Sequence, residues 1–484
     1  MKRREFLKSA GLLTATMAGM SLGGGGCGGS GEPHPDAPNI LFITADNLGW
    51  QDLSSFGSPD IHTPNIDRLA SDGMRFTRAF VTSSSCSPSR ATFLTGQYPH
   101  TNGVVGITNR HFFMQLSPCA VTLPGLLKRA GYSTALEGKW HPAVFLPAKW
   151  YGFNERFGGM AMSAEDMWIT DTARTREFLE RNKDTRFYLE MNFMNNHRDP
   201  YGKMTFAEDL PVDPEDITVP DYWALPDWPE IRDDIARYYS QTMEMDRLIG
   251  EVLDALDELD LADNTLVCFL SDNGPQMPGH IMALYDRGVQ TPLLMRWPKK
   301  IPAGIDYDHL VSTVDLMPTF LDAAGLGIPE DVQGMSLMPV LTGEETGLVR
   351  DAVFLEMDYH VYYIPTRGVR TERYKYLKNY SDMAAGLDQL NNTEWAHRLC
   401  ELPNHPWKRP RQEEELYDLE ADPNEQVNLA GDQIYADALE EMRGRLVAWQ
   451  EETDDPFLDA PFTLDYEQNK EIYEPTDPEE RAYK

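Results

Sequence analysis

Short apolar runs recur along the chain and alternate with a stretch of helical periodicity. Two of the runs, NILFITAD (39–46) and TLVCFLSDNG (265–274), are apolar until they end in acidic and amide residues. Such runs are typical of parallel strands that helices cover on both faces. The other candidate strands are RFTRAFV (75–81), YSTALEG (132–138), RFYLEMNFM (186–194) and TPLLMRW (291–297). Between the last two, apolar residues at helical spacing predict a long helix: Ile235, Tyr238, Met245, Ile249, Val252, Leu256 and Leu259. The pattern predicts an α/β fold with a mostly parallel sheet flanked by helices.

The pattern changes near residue 350, where short alternating segments with turn residues begin. AVFLEMDY, YIPTRGVRTERYKYLKNY and EELYDLEADPNE predict a smaller antiparallel sheet. A terminal helix should follow, with Leu439, Met442, Leu446 and Trp449 on one face. We therefore expect a main domain over 38–345, a C-terminal subdomain over 346–455 and an irregular acidic tail over 456–484.

The first residues, MKRREFLKSAGLLTATMAGMSLGGGGCGGS, combine a basic start with a short apolar stretch. This predicts a signal peptide over 1–27, and the pair Arg3 and Arg4 indicates export through the twin-arginine translocon. Cys27 resembles a degenerate lipoprotein box, so a lipid anchor there is the one membrane contact we expect, with simple cleavage nearby as the alternative. Residues 28–37 then form a flexible tether. The expected location is the periplasm or cell envelope.

The formal net charge of −34 at pH 7 constrains the partners. So acidic a surface repels nucleic acid and anionic membranes, and nucleic acid is excluded as a partner. A polyanionic substrate must be held by a local basic pocket. The five cysteines show no CxxC pairing, so a disulfide framework or a zinc site is not expected.

Acidic and amide side chains follow two of the predicted strands. Asp46 and Asn47 end the first, and Asp272 and Asn273 end a much later one. The carboxyl ends of parallel strands share one edge, so these oxygens can form a cage for Ca²⁺ or Mg²⁺. The alternative for either pair alone is an ordinary turn.

One cysteine lies in a polar segment, TSSSCSPSRATFLTG (82–96). Pro88 and Gly96 are suitable for the first turn and the end of a helix, which would place Cys86 at a helix N-terminus with Arg90 one turn further. Such a position favours a thiolate or a bound anion. The alternative is an N-cap stretch with an incidental cysteine.

CSPSRATFLTG fits the C-x-P-x-R signature of the sulfatase family, and other segments that resemble the family follow in order. They are TADNLGW, TPNIDRLASDGMRFTRAF, GKWH, NNHRDP, SDNG, TPLLMRWP, VDLMPTFLDAAG and ELYDLEADPNEQVNL. Together they span nearly all of 38–450. The resemblance implies an alkaline-phosphatase-like fold and hydrolysis of a sulfuric ester or sulfamate.

By the same resemblance, Cys86 is oxidised by a maturation enzyme to Cα-formylglycine (3-oxoalanine), whose hydrate attacks sulfur. The implied Ca²⁺ ligands are Asp46, Asn47, Cys86, Asp272 and Asn273. Arg90 would steady the hydrate, and Lys139, His141 and His197 would contact sulfate and its neighbours. One of the two histidines would protonate the leaving atom. Without the family, GKWH is a loop with an exposed lysine and His197 belongs to a hydrogen-bonded turn.

Four segments also resemble the heparan N-sulfatase branch: SSSCSPSRATFLTGQYPHTNGVVGI, the His-Arg pair in NNHRDP, SDNGPQMPGHIMALY and LVAWQEETDDPF. This resemblance implies a sulfated glycan substrate and N-sulfated glucosamine in particular. Two positions depart from the family: Asn47 replaces a second aspartate, and no lysine or arginine follows SDNG until Arg287, leaving His280 as the candidate sulfate contact. Arg367, with Arg370, is expected to bind the sugar. Three alternatives remain. They are an O-sulfatase or arylsulfatase, a phosphate or phosphonate esterase, and a catalytically weak lipoprotein that binds sulfated polysaccharide.

Overall fold

The computed structural model describes residues 33–108, 114–144, 146–158, 170–198, 211–223, 225–360, 362–383, 393–402 and 410–458. The predicted signal peptide with Cys27, most of the tether and residues 459–484 of the tail lie outside the described residues. Within those ranges, no helix combines the length and the apolar character needed to cross a membrane.

The larger of two sheets has nine strands among the described residues. They are β1 Asn39–Ala45, β2 Met74–Phe80, β3 Ser133–Gly138, β4 Glu155–Phe157, β5 Phe187–Phe193, β6 Thr265–Ser271, β7 Gln290–Arg296, β8 Ile305–Tyr307 and β9 Val311–Ser312. Their order is β4-β3-β5-β1-β6-β7-β2-β8, with β9 beside β2, and β7 alone runs antiparallel to its neighbours. All six runs predicted as strands form strands of this sheet, which confirms the α/β fold.

Helices cover both faces of this sheet. They are α1 Pro64–Ser71, α2 Cys86–Thr95, α3 Pro99–Asn102, α4 Leu123–Arg129, α5 Thr172–Asn182, α6 Pro229–Glu258, α7 Asp286–Val289, α8 Leu316–Ala323 and α9 Met338–Leu341. Along β1, Ile40 and Phe42 join a core with α2, α4 and α8, whereas Leu41 and Ile43 join a second core with α1, α5 and α6. This alternation explains why β1 is buried throughout.

The smaller sheet is antiparallel and lies near the C-terminus, as expected. Its order is β10-β11-β12-β13, with bounds Ala352–Tyr359, Tyr363–Thr371, Tyr374–Asn379 and Glu414–Asp418. Helix α10, Glu394–Glu401, lies between β12 and β13 in the chain, and helix α11, Ala436–Glu452, follows β13. Trp449 of α11 stacks on Phe354 of β10 with ring centroids 5.0 Å apart. Leu355 and Met357 belong to a core shared with the large sheet, so the small sheet lies between that sheet and α11.

The register of β1 places the predicted strand ends side by side. Ala45 pairs with Ser271 of β6, so Asp46 and Asp272 leave the sheet at the same edge. Gly138 of β3 pairs with Asn192 of β5 and has a φ of 84°, and a Cβ there would lie 2.3 Å from the Asn192 carbonyl oxygen. Glycine therefore allows β3 to turn into Lys139 at this edge.

Candidate active site

Two carboxylates and a thiol converge at the carboxyl edge of the large sheet. One ligand atom each from Asp46, Cys86 and Asp272 lies within 4.8 Å of the others, and all three residues are buried. The Cys86 thiol donates to Asp46 Oδ1 at 3.6 Å. Asp46 and Asp272 come from adjacent strands, and Cys86 is the first residue of α2. The fold thus unites residues separated by up to 226 positions.

Asn47 and Asn273 border these three residues. The Asn47 backbone N–H donates to Asp272 Oδ1 at 3.2 Å, and Asn273 Nδ2 donates to Asn47 Oδ1 at 2.7 Å. In this arrangement Asn273 Oδ1 and Asn47 Nδ2 are buried without a hydrogen-bond partner among the described residues. A buried oxygen without a donor, beside two carboxylates, suits a hard cation such as Ca²⁺ or Mg²⁺. The donor set therefore fits the metal site that the sequence predicts.

Two cations balance the two carboxylates. Arg90 Nε donates to Asp272 Oδ2 at 2.7 Å, and Lys139 Nζ forms an ion pair with Asp46 Oδ2. Burial opposes ionisation of Asp46, but Lys139, His197 and Arg90 together hold the pKa of its carboxyl below its usual range. Arg90 Nη2 lies 3.7 Å from Asp46 Oδ2, and neither terminal nitrogen makes a hydrogen bond within the described part of the chain, so both can donate to an anion.

Two histidines complete the edge. Burial, and then the charge of Lys139, lowers the pKa of His141 well below its usual value, and burial also lowers the pKa of His197. His197 Nδ1 lies 2.6 Å from the Arg198 carbonyl oxygen, which accepts hydrogen bonds only, so Nδ1 carries a proton. A neutral His197 therefore presents Nε2 as a lone pair.

The helix that carries Cys86 begins as predicted. Pro88 lies in the first turn, and Gly96 ends the helix with a left-handed φ of 63°. All ten residues of α2 are buried. Burial, and then the charge of Asp46, raises the pKa of the Cys86 thiol well above its usual range, so the unmodified residue is a poor nucleophile.

Two protein-family models match this chain. A model described as Sulfatase matches residues 38–326, and a model described as N-sulphoglucosamine sulphohydrolase, C-terminal, matches residues 281–392. This chain belongs to the sulfatase family. It is accordingly a sulfuric ester or sulfamate hydrolase, and the family generally uses a formylglycine and a metal ion.

Individual relatives of this sulfatase act at different sulfate positions. Human N-sulphoglucosamine sulphohydrolase is 31% identical over 87% of this chain and 92% of its own. An N-acetylglucosamine-6-O-sulfatase of Bacteroides thetaiotaomicron is 26% identical over 96% and 94%. A solved structure in complex with its substrate D-glucosamine-2-N,6-O-disulfate superposes with a TM-score of 0.66 at 24% identity, covering 88% of this chain and 100% of that one, and shows the shared fold.

The structure does not support the sulfate contact expected of His280 in this sulfatase. The ring is buried edge-on against Trp223 with ring centroids 5.8 Å apart, and Nδ1 lies 2.9 Å from the Pro278 carbonyl oxygen. Burial, and then Arg287, lowers the pKa of His280 to about 3. A neutral imidazole cannot replace the missing lysine or arginine as a cation.

The sugar contact expected of Arg367 is likewise not what the structure shows. Its guanidinium is fully buried and donates to Asp358 and Asp455, with the nearest atoms 2.6 Å and 2.8 Å away. Arg367 therefore joins the small sheet to the segment after α11. Arg370 is also buried, above the Phe80 ring and paired with Asp286.

A further histidine, which the sequence analysis does not predict as a site residue, lies near Asp46, Cys86 and Asp272. His360 follows β10 and is buried, and its Nδ1 lies 2.8 Å from Ser85 Oγ, one residue before Cys86. The sequence gives little signal for it, because a single histidine after an alternating strand is common and 275 positions separate it from Ser85.

Proposed function

We propose that this sulfatase removes sulfate from a sulfated glycan, with N-sulfated glucosamine in heparan-type chains as its substrate. It would use Ca²⁺ and a formylglycine derived from Cys86. The overall reaction adds water to a sulfamate, breaks the N–S bond and releases an amine and sulfate. The match of residues 281–392 to the C-terminal model of the N-sulphoglucosamine sulphohydrolases carries the substrate proposal. The similarity to the human enzyme supports it.

Asp46, Asn47, Asp272 and Asn273 would hold the ion together with residue 86. An all-oxygen protein ligand set suits Ca²⁺, which accepts six to eight oxygens at flexible geometry. When bound, Ca²⁺ would polarise a sulfate oxygen and lower the pKa of a hydroxyl on residue 86. Asp46 and Asp272 pair with Lys139 and Arg90, so the net charge of these four side chains is zero. A bound divalent cation would add the positive charge that an anionic sulfate requires.

Residue 86 is the proposed site of attack on sulfur. A hydrated aldehyde would supply two hydroxyls on one carbon, one to attack sulfur and the other to expel sulfate. The raised pKa of the buried thiol argues against unmodified cysteine in this role.

The remaining side chains would bind sulfate and move the proton. Arg90 and Lys139 would supply donors to sulfate oxygens, and Arg90 would steady the hydrate at residue 86. His197 can protonate the leaving nitrogen only as imidazolium, and the negative charge of a bound sulfate would raise its pKa toward that form. His141 is the alternative proton donor.

Cys86→Ala tests the catalytic proposal, with Cys119→Ala as the matched control because Cys119 is exposed. We expect Cys86→Ala to lose sulfate release by at least about 10³-fold, since it removes the nucleophile.

Mass spectrometry of the native Cys86 peptide should show a loss of about 18 Da, the difference between a thiol and an aldehyde at this nucleophile. Cysteine throughout an active preparation would contradict the proposal. Retained saccharide binding without turnover in the native protein would instead favour the binding lipoprotein.

A panel of defined saccharides tests the substrate. It should include N-sulfated glucosamine, 6-O-sulfated glucosamine, 2-O-sulfated uronate, and sulfated galactose or fucose. We expect release from the N-sulfate. Release from O-sulfates alone would support the second candidate, an O-sulfatase, which the similarity to the N-acetylglucosamine-6-O-sulfatase favours.

Export is a separate part of the proposal. A twin-arginine substrate crosses the membrane folded, so the maturation enzyme would have to convert Cys86 in the cytoplasm before α2 closes. Cell fractionation, with and without Cys27→Ser, tests both the cell-envelope location and the lipid anchor.

A further inference from the structure

His360 connects the small sheet to the start of the helix that carries residue 86. It follows Tyr359 at the end of β10, and its backbone N–H donates to the Tyr362 carbonyl oxygen at 3.1 Å. Its ring Nδ1 lies 2.8 Å from Ser85 Oγ, and both residues are at least nine-tenths buried. A hydrogen bond of this length between buried partners fixes the relative position of two elements distant in sequence.

The hydrogen bond to His360 changes how the N-terminus of α2 is capped. Ser85 is the N-cap of α2, with the extended φ of −152° typical of that position. A serine N-cap normally accepts a hydrogen bond from a backbone N–H of the first turn, but Ser85 makes no such bond. Its hydroxyl is directed to His360 instead. The side chain of Ser85 therefore does not cap the N–H groups of the first turn. The partial positive charge of the helix N-terminus remains available to the site where residue 86 lies.

The surroundings of His360 belong to the active site. Burial, and then Lys139 and His197, lowers the pKa of its ring to about 3, while Asp46 opposes this shift. The ring is therefore neutral at pH 7, and it can bond to Ser85 without adding charge beside the proposed sulfate contacts.

We propose that His360 is a positioning residue of this sulfatase, which fixes Ser85 and thereby the start of α2 and the side chain at position 86. The small sheet is then part of the catalytic arrangement rather than a separate appendage. The inference rests on the proposed function, because it assigns His360 a role in presenting the proposed nucleophile.

His360→Ala should lower kcat about 10- to 100-fold and change KM by less than about threefold, because misplacing a reacting group affects the chemical step. Asparagine places an amide atom where Nδ1 lies, so His360→Asn should restore kcat to within a fewfold of the native value. Glutamine places its amide at the Nε2 position, so His360→Gln should resemble alanine. His309→Ala is the matched control, since His309 is partly exposed and pairs with Glu372.

A double-mutant cycle identifies the route through Ser85. If His360 acts through this hydroxyl, Ser85→Ala and the double variant Ser85→Ala/His360→Ala should lose the same factor as His360→Ala alone. All rates must be divided by the aldehyde fraction at residue 86, since Ser85 adjoins the maturation signature. Thermal unfolding of each variant shows whether it is folded.

The outcomes separate this inference from the proposed function. Native kcat in a folded, fully converted His360→Ala variant would overturn the inference while Cys86→Ala remains inactive. Glutamine rescuing better than asparagine would also overturn it, because it would indicate that Nε2 contacts the substrate directly. An active Cys86→Ala variant would instead overturn the proposed function itself.

Discussion

Asn47 shows how one residue can set both the charge and the geometry of the proposed cation site. Its φ of 62° is in the left-handed region, where asparagine and aspartate are enriched among non-glycine residues. Its N–H donates to Asp272, so the backbone itself is held against the second strand end. Aspartate would fit the same backbone and restore the acid that sulfatases commonly have at this position.

Asn47→Asp should therefore change stability in opposite directions with and without calcium. In the metal-free protein a third buried carboxylate beside Asp46 and Asp272 should lower Tm, because like charges repel at low dielectric. With Ca²⁺ the added charge should tighten binding about tenfold. Thermal unfolding across a calcium titration measures both effects. Asn47→Gly is the comparison, since glycine keeps the backbone and removes the ligand. Equal or weaker calcium affinity in Asn47→Asp would argue against calcium at this position.

At the scale of elements, the strands and the long helix were predictable because their signals are local. β1 and β6 contain uninterrupted apolar runs at 40–43 and 266–270, and α6 repeats apolar residues every turn. β4, β8 and β9 have only two or three residues, too few for a periodic signal. The carboxyl ends of parallel strands lie at one edge of a sheet. For this reason the proximity of Asp46 and Asp272 was predictable from the sequence.

The tertiary contacts of the small sheet were not predictable in this way. The TRGVR segment was expected to bind a sugar through Arg367, yet the alternation of β11 turns this side chain into a buried network with Asp358 and Asp455. His360 reaches Ser85 only after the small sheet has packed on the large one. The sequence around either residue does not indicate the other as its partner, because the pairing depends on tertiary packing.

Strand β3 also contains a testable pH response. Glu137 is fully buried, and its Oε1 accepts the Asp171 backbone N–H at 2.9 Å. Burial raises the pKa of this carboxyl to about 8, although the Asp171 N–H opposes the shift. A carboxyl whose pKa is raised in the folded state binds more protons than in the unfolded state. Its stabilising contribution is therefore complete below the unfolded pKa of about 4.5 and is lost as pH rises through about 8.

Glu137→Gln should remove this response, because glutamine keeps a side-chain oxygen that can accept the Asp171 backbone N–H but has no ionisable proton. We expect the free energy of unfolding of the native protein to fall between pH 5 and pH 8 by a few kcal/mol more than that of the variant, at about 1.4 kcal/mol per pKa unit. Urea unfolding at both pH values measures the difference. Parallel pH profiles for the two proteins would show that Glu137 does not titrate in this window.

At the scale of the whole molecule, the charge of the chain opposes its proposed substrate. The formal net charge is −34 at pH 7, whereas the proposed sulfate contacts, Arg90 and Lys139, are enclosed among acidic partners. A sulfated glycan would therefore approach through a repulsive field, and among the described site residues Arg90 and Lys139 would attract it. Salt weakens the long-range repulsion most, because the Debye length falls from about 30 Å at 0.01 M to about 8 Å at 0.15 M.

The length of the substrate should decide how activity responds to salt. For a long polysulfated chain, kcat/KM should rise severalfold between about 10 and 150 mM NaCl as the long-range repulsion is screened. An N-sulfated monosaccharide carries one sulfate and interacts mainly with the site cations Arg90 and Lys139, so its kcat/KM should stay level or fall. Initial rates for both substrates at fixed pH and calcium measure the contrast, and calcium must be saturating because salt also weakens ion binding. A steep fall of kcat/KM with salt for the long chain would indicate a basic surface that attracts the polymer, and would contradict the expectation that the long-range field of the protein repels it.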